Sequence, residues 1–224
     1  MGVVANMCEI IPSPGTEQKD WPAMEKRIEM VAPFTKTIHI DIVDGKFAPN
    51  TSFLDPNPFK KFTNQLFFEV HLMVEEPYMY LKPFADAGFK RFIGHIEKMT
   101  DQAEFVAQGQ LLGEVGLAID GKTSLDAVQV PYDDLDCLLI MTINAGFSGQ
   151  AFMPEHLEKV KAVRSKNPLL PTGMPLPIEI DGGVNRETIV TAKEAGVSRV
   201  IVTSAIYNQP DLHGAYQSLV DAVK

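Results

Sequence analysis

Two histidines and two aspartates are the side chains of this sequence best suited to chemistry, and each lies in or at the end of a short apolar run. His39 and Asp41 lie in TIHIDIV, His71 lies in FFEVHLM, and Asp181 ends PIEID. Imidazole and carboxylate ligands together suit a borderline divalent ion such as zinc, iron(II), manganese or cobalt. The same carboxylates are also suited to proton transfer. The sequence therefore predicts a divalent-metal site that contains two acid–base groups.

These side chains meet only if their runs are parallel strands of one barrel. Residues two apart on a strand point to the same side, so His39 and Asp41 would face the same way while the alternating isoleucines face the helices. Active sites of (β/α)8 barrels lie at the C-terminal ends of the strands. Polar residues occur at or just after the ends of the eight predicted strands: Ser13, Asp41, His71, His95, Asp120, Asn144, Asp181 and Ser204.

Apolar runs alternate with amphipathic stretches along most of the chain. Strands are predicted over 8–11, 37–43, 67–73, 91–95, 115–119, 138–143, 177–181 and 199–203. Helices are predicted over 22–31, 77–87, 101–110, 154–165, 186–195 and 211–223, with two weaker candidates at 56–63 and 124–130. The Pro/Gly-rich segment 167–177 is expected to be a loop. This alternation predicts an α/β fold, a (β/α)8 TIM barrel formed by residues 1–224 as a single domain.

Composition excludes some classes of protein. The chain has 20 Lys+Arg and 29 Asp+Glu, a net charge of −9, which argues against a nucleic-acid partner. A phosphorylated substrate remains compatible, because backbone dipoles bind phosphate locally. No stretch is apolar enough to span a membrane, and residues 1–10 do not resemble a signal peptide. Cys8 and Cys137 match no metal-binding spacing and are expected to be reduced thiols, so the cytoplasm is the expected compartment.

A second group of residues suggests phosphate binding. Glycine-rich or small residues follow three successive strands, at 144–150, 181–183 and 203–204. Barrel phosphate sites are often built from the loops after strands seven and eight, where glycines let backbone N–H groups approach the ligand. Any one of these segments could simply make a tight turn. Three adjacent loops of this kind favour a phosphate site.

A metal, a phosphate and two carboxylates together indicate a reaction class. A metal bound to a carbonyl and a neighbouring hydroxyl oxygen stabilises an enediolate. One aspartate could remove a carbon-bound proton and the other could return a proton from the opposite face, which would invert the stereocentre.

Six segments together resemble the ribulose-phosphate 3-epimerase family. They are HIDIVDGKFAPN at 39–50, EVHLMVEEP at 69–77, GLAI at 116–119, MTINAGFSGQAFMPEHLEKVKAVR at 141–164, EIDGGV at 179–184 and SAIY at 204–207. The resemblance implies a metal-dependent barrel, usually an oligomer of identical subunits, that interconverts D-ribulose 5-phosphate and D-xylulose 5-phosphate in the pentose phosphate pathway.

The same resemblance assigns roles to residues. It implies that His39, Asp41, His71 and Asp181 bind the metal. It also implies that Asp41 accepts the proton and Asp181 donates one, with the roles exchanged in the reverse direction. The residues that match substrate or phosphate contacts are Ser13, His71, Gly146, Phe147, Ser148, Gly149, Gly182, Gly183, Thr203 and Ser204.

The loops that would cover the substrate depart from the family pattern. The segment 14–21 replaces an aliphatic stretch, Ala145 replaces proline, and Ser148 and Thr203 replace glycines. If position 148 needs a positive φ, Ser148 would be strained. These departures leave the sugar open, with another ketose phosphate such as D-allulose 6-phosphate as an alternative substrate.

Two further alternatives have less support. Phosphate-binding decarboxylases of this barrel type use an Asp-x-Lys-x-x-Asp strand, whereas the comparable stretch here, DIVD, has no lysine. A non-catalytic sugar-phosphate binder would not need Asp41 and Asp181, and both are present.

Overall fold

Eight parallel strands form one sheet in the order β1–β8–β7–β6–β5–β4–β3–β2 in a computed structural model that describes residues 8–166, 168–170 and 172–224. The strands are β1 (Glu9–Pro12), β2 (Thr37–Val43), β3 (Phe67–Met73), β4 (Arg91–His95), β5 (Glu114–Ile119), β6 (Cys137–Met141), β7 (Ile178–Asp181) and β8 (Arg199–Val202). The helices are α1 (Trp21–Val31), α2 (Tyr78–Asp86), α3 (Gln102–Gln110), α4 (Leu157–Lys166), α5 (Thr188–Ala195), α6 (Ser204–Tyr207) and α7 (Leu212–Ala222).

The sheet curls into a nearly closed barrel. Strands β1 and β2 stand at the two ends of the strand order and lie against each other. The Thr37 hydroxyl donates to Glu9 Oε1 across this seam at 2.7 Å. The predicted (β/α)8 TIM barrel is therefore confirmed, and the carboxyl ends of all eight strands open on one side.

Strand β2 illustrates how the alternation of residues separates the two faces of the barrel wall. Ile38, Ile40 and Ile42 are fully buried in the large core between the sheet and the helices. His39 and Asp41 alternate with them and point into the barrel, as successive side chains of a strand take opposite faces. A smaller apolar cluster fills part of the interior: Ile93, Ala118, Cys137, Leu139, Met141 and Ile143.

The six predicted helices are confirmed to within two residues at most ends, whereas the two weaker candidates, 56–63 and 124–130, contain no α-helix. Two connections contain only 3-10 turns, Asn57–Lys61 between β2 and β3, and Leu125–Ala127 with Tyr132–Asp134 between β5 and β6. Prolines at 56, 58 and 131 explain this, because a proline removes a backbone donor and disfavours an α conformation before it. Helix α6 was not predicted, and its four residues were matched only to the family segment SAIY.

Some sequence predictions fall on residues outside the described part of the chain. These are residues 1–7 of the N-terminal segment, and Asn167 and Pro171 of the predicted loop 167–177. Over the described residues, no helix combines the length and apolar character that crossing a membrane requires.

Candidate active site

The two histidines and two aspartates meet inside the barrel near the carboxyl ends of β2, β3 and β7. Asp41 and His71 are register partners on neighbouring strands, which places them side by side. Asp41 Oδ1 lies 3.2 Å from His39 Nε2 and 3.0 Å from His71 Nδ1. Asp181 Oδ2 lies 3.7 Å from the same His71 nitrogen. The sequence prediction that these four side chains converge is confirmed.

The two carboxylates of this quartet have opposite acidities. Burial alone would raise the pKa of Asp41, but the charge on His39 and hydrogen bonds with both imidazoles lower it well below the usual range. Burial, together with the neighbouring Asp41 charge, raises the pKa of Asp181 to about 8. With no cation bound, one carboxyl is therefore ionised and the other protonated at neutral pH, as is typical of a pair that must accept and donate a proton.

The two imidazoles also differ. Burial lowers the pKa of His71 to about 4, so its ring is neutral. Burial opposes protonation of His39 as well, but the Asp41 and Glu69 carboxylates outweigh it and raise the pKa of His39 well above its ordinary value. His39 therefore carries positive charge between two carboxylates when no cation is bound.

The quartet fits a divalent ion. One nitrogen from each histidine and one oxygen from each aspartate lie within 4.8 Å of one another. Mixed imidazole and carboxylate ligands suit transition metals. A cation here would compete with the protons on His39 and Asp181, because metal ligands bind in their deprotonated forms. The described residues thus contain a cluster able to hold a metal ion, and the donor set does not select one metal.

Ser13, at the end of β1, orients Asp41. Its hydroxyl donates to Asp41 Oδ2 at 2.6 Å, on the opposite side of the carboxylate from the imidazoles. Ser13 is fully buried, and its oxygen also accepts from the Gly15 backbone N–H at 3.1 Å. Its partner in the structure is a carboxylate, whereas the family resemblance implied contact with substrate.

A cleft opens above the carboxylates at the mouth of the barrel. Its lining includes both aspartates, three apolar side chains and most of the predicted loop residues: Asp41, Asp181, Met73, Met141, Ile143, Thr16, Gly146, Phe147, Ser148, Gly149, Gly182, Gly183, Thr203 and Ser204. Ser13, His39 and His71 are fully buried beneath it. Among the described lining residues there is no lysine or arginine, so an anionic group here would depend on backbone N–H groups and hydroxyls.

Two glycines of this lining could not be replaced without displacing their neighbours. Gly183 has φ 69°, and a Cβ there would lie 2.5 Å from the Phe152 backbone nitrogen. Gly146 has φ 102°, and a Cβ there would lie 2.4 Å from the Ala48 side chain. The backbone of Ser148 does not have a positive φ. Among the described non-glycine residues, only Glu76 does. The strain considered for Ser148 from the sequence is therefore absent.

The loops after β1, β2 and β6 are joined by hydrogen bonds across the mouth. The Thr16 backbone N–H donates to Ser148 Oγ at 3.3 Å, and the two hydroxyls are also 3.3 Å apart. The Asn50 amide donates to the Gly146 carbonyl at 2.8 Å. Thr16 and Thr203 line the same cleft as Ser148. The loops after β1, β6 and β8, which all depart from the family pattern, thus line the same cleft. Their residues are far apart in the sequence, so the sequence alone does not show that they are neighbours.

Sequence reasoning missed a layer of charged residues directly below the quartet, in which Glu69 and Glu179 are fully buried and Glu9 and Glu114 are partly exposed. It consists of residues that are register partners on adjacent strands or at the barrel seam: Glu9, Glu69, Arg91, Glu114, Glu179 and Arg199. Arg91 contacts Glu69 and lies 2.7 Å from Glu114 Oε2, and Arg199 lies 2.7 Å from Glu179 Oε1 and 3.4 Å from Glu9 Oε2. The available signal was the presence of charged residues at inward-facing positions of otherwise apolar strands.

Comparison with known proteins agrees with this geometry. A search of solved structures finds KGPDC from Streptococcus mutans, with a TM-score of 0.71 over 97% of both chains at 12% identity, which supports the barrel fold alone. Ribulose-phosphate 3-epimerase from Schizosaccharomyces pombe is 32% identical, covering 84% of this chain and 83% of its own. The enzyme of that name from Bacillus subtilis is 37% identical, covering 78% and 81%. The model of the ribulose-phosphate 3 epimerase family matches residues 15–207, so this chain belongs to that family and is an epimerase.

Proposed function

We propose that this protein interconverts D-ribulose 5-phosphate and D-xylulose 5-phosphate by proton transfer between Asp41 and Asp181. The observation that carries the proposal is the placement of these two carboxyl groups in one cleft, where Asp41 Oδ1 lies 3.0 Å and Asp181 Oδ2 lies 3.7 Å from the same His71 nitrogen. Asp41 is ionised and Asp181 has a pKa of about 8. In the metal-free protein, a base and an acid are thus both present at neutral pH.

Asp41 acts as the base in the forward direction. Ser13 holds one of its oxygens and the two imidazoles hold the other, so the carboxylate is fixed in orientation. It removes the proton at C3 of the ketose, and Asp181 delivers its own proton to the opposite face of the resulting enediolate. The carboxyl groups then exchange roles for the reverse reaction. Met73, Met141 and Ile143 line this part of the cleft, and their apolar side chains would exclude water from the reacting atoms.

We further propose that His39, Asp41, His71 and Asp181 hold one divalent ion, with zinc, iron(II), manganese and cobalt as candidates. Their ligand atoms lie within 4.8 Å of one another, which supports this assignment. When bound, the ion would supply positive charge that stabilises negative charge developing on the substrate oxygens.

The substrate's phosphate is proposed to lie at the end of the cleft that the loops after β6, β7 and β8 line. Gly146, Phe147, Ser148 and Gly149 come from the first loop, Gly182 and Gly183 from the second, and Thr203 and Ser204 from the third. The absence of lysine and arginine from the described lining fits recognition by backbone N–H groups. Free thiols at Cys8 and Cys137 fit a reducing compartment, and we propose the cytoplasm and a single domain over residues 1–224.

One observation favours a second substrate. Thr16, Ser148 and Thr203, which belong to the segments that depart from the family pattern, line the same cleft. Altered side chains at the end of the cleft proposed to bind phosphate would change the distance between the bound phosphate and the two carboxyl groups, and so the length of sugar that fits between them. D-allulose 6-phosphate, with one more carbon, is therefore the second candidate.

A single set of assays tests the proposal. Turnover of both ketose phosphates is measured with the purified protein before and after treatment with a chelator. We expect turnover of D-ribulose 5-phosphate that falls on metal removal and returns with a divalent ion. Unchanged turnover after thorough removal of metal would contradict the proposed metal site. Faster turnover of D-allulose 6-phosphate than of D-ribulose 5-phosphate would make D-allulose 6-phosphate the proposed substrate.

The Asp181→Asn variant separates the two proton transfers. It should exchange the C3 proton with deuterated solvent far more slowly than the wild type in at least one direction. The exchange is followed by ¹H NMR of the recovered sugar phosphate. Wild-type exchange and turnover in this variant would remove Asp181 from the mechanism.

A further inference from the structure

Glu69 is a buried carboxylate that touches the quartet without belonging to it. It lies on β3, two residues before His71, and is the register partner of His39 on β2. Its side chain is fully inaccessible to solvent, as is that of His39. Glu69 Oε1 lies 2.6 Å from His39 Nδ1, a short contact typical of a charge-assisted hydrogen bond.

This contact determines which His39 nitrogen is free to bind a ligand. A carboxylate only accepts hydrogen bonds, so the proton of the contact belongs to Nδ1. The other ring nitrogen, Nε2, faces Asp41 Oδ1 at 3.2 Å and is the one directed at the quartet. Holding Nδ1 in its protonated form leaves the Nε2 lone pair for an ion, and the same bond prevents rotation of the ring.

Glu69 is itself held in place from below. Its second oxygen, Oε2, contacts the Arg91 guanidinium, and Arg91 is the register partner of Glu69 on β4. Arg91 also binds Glu114 Oε2 at 2.7 Å through Nε and lies 3.7 Å from Glu179 Oε1. The Glu69 carboxylate therefore has one oxygen committed to the guanidinium and the other to the imidazole, which leaves it no alternative orientation.

A second ion at this level is disfavoured. Ligand atoms of His39, Glu69 and Glu179 also lie within 4.8 Å of one another. However, the Arg91 and Arg199 guanidinium groups already contact these two carboxylates, and their positive charge would repel a cation. The contacts of Glu69 therefore fit a role in orienting the His39 imidazole better than a role as ligand of a second metal ion.

We propose that Glu69 is a positioning residue that acts through His39, presenting Nε2 to the ion held by the quartet. The proposal rests on the proposed function, because it requires that the quartet binds a metal. It also goes beyond that function, since it assigns a role to a residue outside the quartet and to the Arg91 contact that holds this residue.

The test compares ion binding in two variants. In Glu69→Gln the amide has one carbonyl oxygen, so it cannot accept from both His39 and Arg91. We expect its affinity for zinc ion to fall about 10- to 100-fold, the usual effect of removing such a partner. Affinity is measured on metal-free protein by competition with a chromophoric chelator. Glu114→Gln is the matched control, because it removes a carboxylate from the same Arg91 without touching the quartet, and its zinc affinity should stay within about twofold.

A spectroscopic measurement makes the proposal independent of how the variant folds. In the zinc-loaded wild type, ¹⁵N and ¹H NMR of the His39 ring should show a protonated Nδ1, slow to exchange with solvent, and a zinc-bound Nε2. Zinc bound through Nδ1, or an Nδ1 without its proton, would overturn the proposal even if Glu69→Gln fails to fold.

The outcomes separate this inference from the proposed function. If the wild type binds no zinc in the competition assay, the metal site itself is wrong and the role of Glu69 is overturned with it. If the wild type binds zinc and a folded Glu69→Gln binds it equally well, only the role of Glu69 is overturned. Equal losses in both glutamine variants would assign the effect to Arg91 and the barrel interior instead.

Discussion

The barrel holds two polar clusters, one above the other, that differ in the partners of their carboxyl groups. In the lower layer each carboxylate contacts a guanidinium: Glu69 and Glu114 contact Arg91, while Glu9 and Glu179 contact Arg199. In the quartet above, the two aspartates have imidazoles and no guanidinium as ionisable partners, and their pKa values move apart. Carboxylates that each contact a guanidinium are typical of a structural ion-pair network, whereas two carboxyl groups at a cleft with pKa values moved apart indicate a functional site.

His39 links the two levels. Its Nε2 faces the quartet and its Nδ1 contacts the lower layer through Glu69. If the contrast between the clusters is right, changes in the quartet should affect activity most, and changes in the lower layer should affect stability most.

The largest expected effect is on activity in the upper cluster. Asp41→Asn removes the ionised carboxylate that Ser13, His39 and His71 orient. We expect kcat to fall about 10²- to 10⁴-fold, the usual contribution of a general base. Steady-state turnover of D-ribulose 5-phosphate measures it. Asp86→Asn, which changes an exposed ion pair on α2, is the control and should keep wild-type activity. A similar loss of activity in this control would show that the loss is not specific to Asp41. Wild-type activity in Asp41→Asn would contradict the assignment of catalysis to the quartet.

The next effect is on stability in the lower layer. Arg91→Met leaves Glu69 without its guanidinium partner in a fully buried position. Breaking a buried pair from one side costs about 3–5 kcal/mol of folding free energy. Urea unfolding of the metal-free protein measures the loss. Lys82→Met, which removes an exposed partner of Asp86, should change stability by less than about 1 kcal/mol. A loss below about 1 kcal/mol in Arg91→Met would show that the lower layer does not stabilise the fold.

A smaller effect concerns the pH dependence of stability. The folded-state pKa of Asp181 is raised from 3.8 to about 8, so this group costs stability as pH rises from about 4 towards 8. Asp181→Asn removes that cost, and the metal-free variant should exceed the wild type by more than about 1 kcal/mol at pH 8, since one pKa unit corresponds to about 1.4 kcal/mol.

Urea unfolding at pH 4.5 and pH 8 checks this prediction for Asp181. The advantage of Asp181→Asn should be much smaller at pH 4.5 than at pH 8, because pH 4.5 lies close to the unfolded-state pKa of 3.8. Asp41→Asn should instead be less stable than the wild type at both pH values, because the lowered folded-state pKa of Asp41 stabilises the protein above pH 4. The same sign for both variants would mean that the two carboxyls are not held in different environments.

The smallest effect is expected at the loops above the quartet. Ser148→Gly removes the hydroxyl that contacts Thr16 at 3.3 Å and relieves no backbone strain. The expected change is within about 1 kcal/mol, less than tenfold in kcat/KM for either ketose phosphate, but the ratio between the two sugars should shift. Combining it with Thr16→Val tests the contact, since coupled residues give non-additive losses. Strictly additive effects would place substrate preference elsewhere in the cleft.

Much of the fold could be predicted from local patterns. The alternation in TIHIDIV separates Ile38, Ile40 and Ile42 from His39 and Asp41, and this division holds in the structure. The convergence of four polar strand residues followed from one rule, that the carboxyl ends of parallel strands meet. It was harder to predict that the weaker candidates 56–63 and 124–130 form only 3-10 turns, because amphipathic spacing alone does not account for the neighbouring prolines.

The sequence by itself determined the chemistry of the site: two imidazoles and two carboxylates on strands whose register brings them together. Only the tertiary structure decided how those groups differ and what supports them. Glu69 meets Arg91, and Thr16 meets Ser148 across 132 residues, because barrel closure brings distant positions side by side. Acidity depends on burial and neighbouring charge, and neither exists until the chain has folded, so Asp41 and Asp181 are alike in the sequence and opposite in the protein.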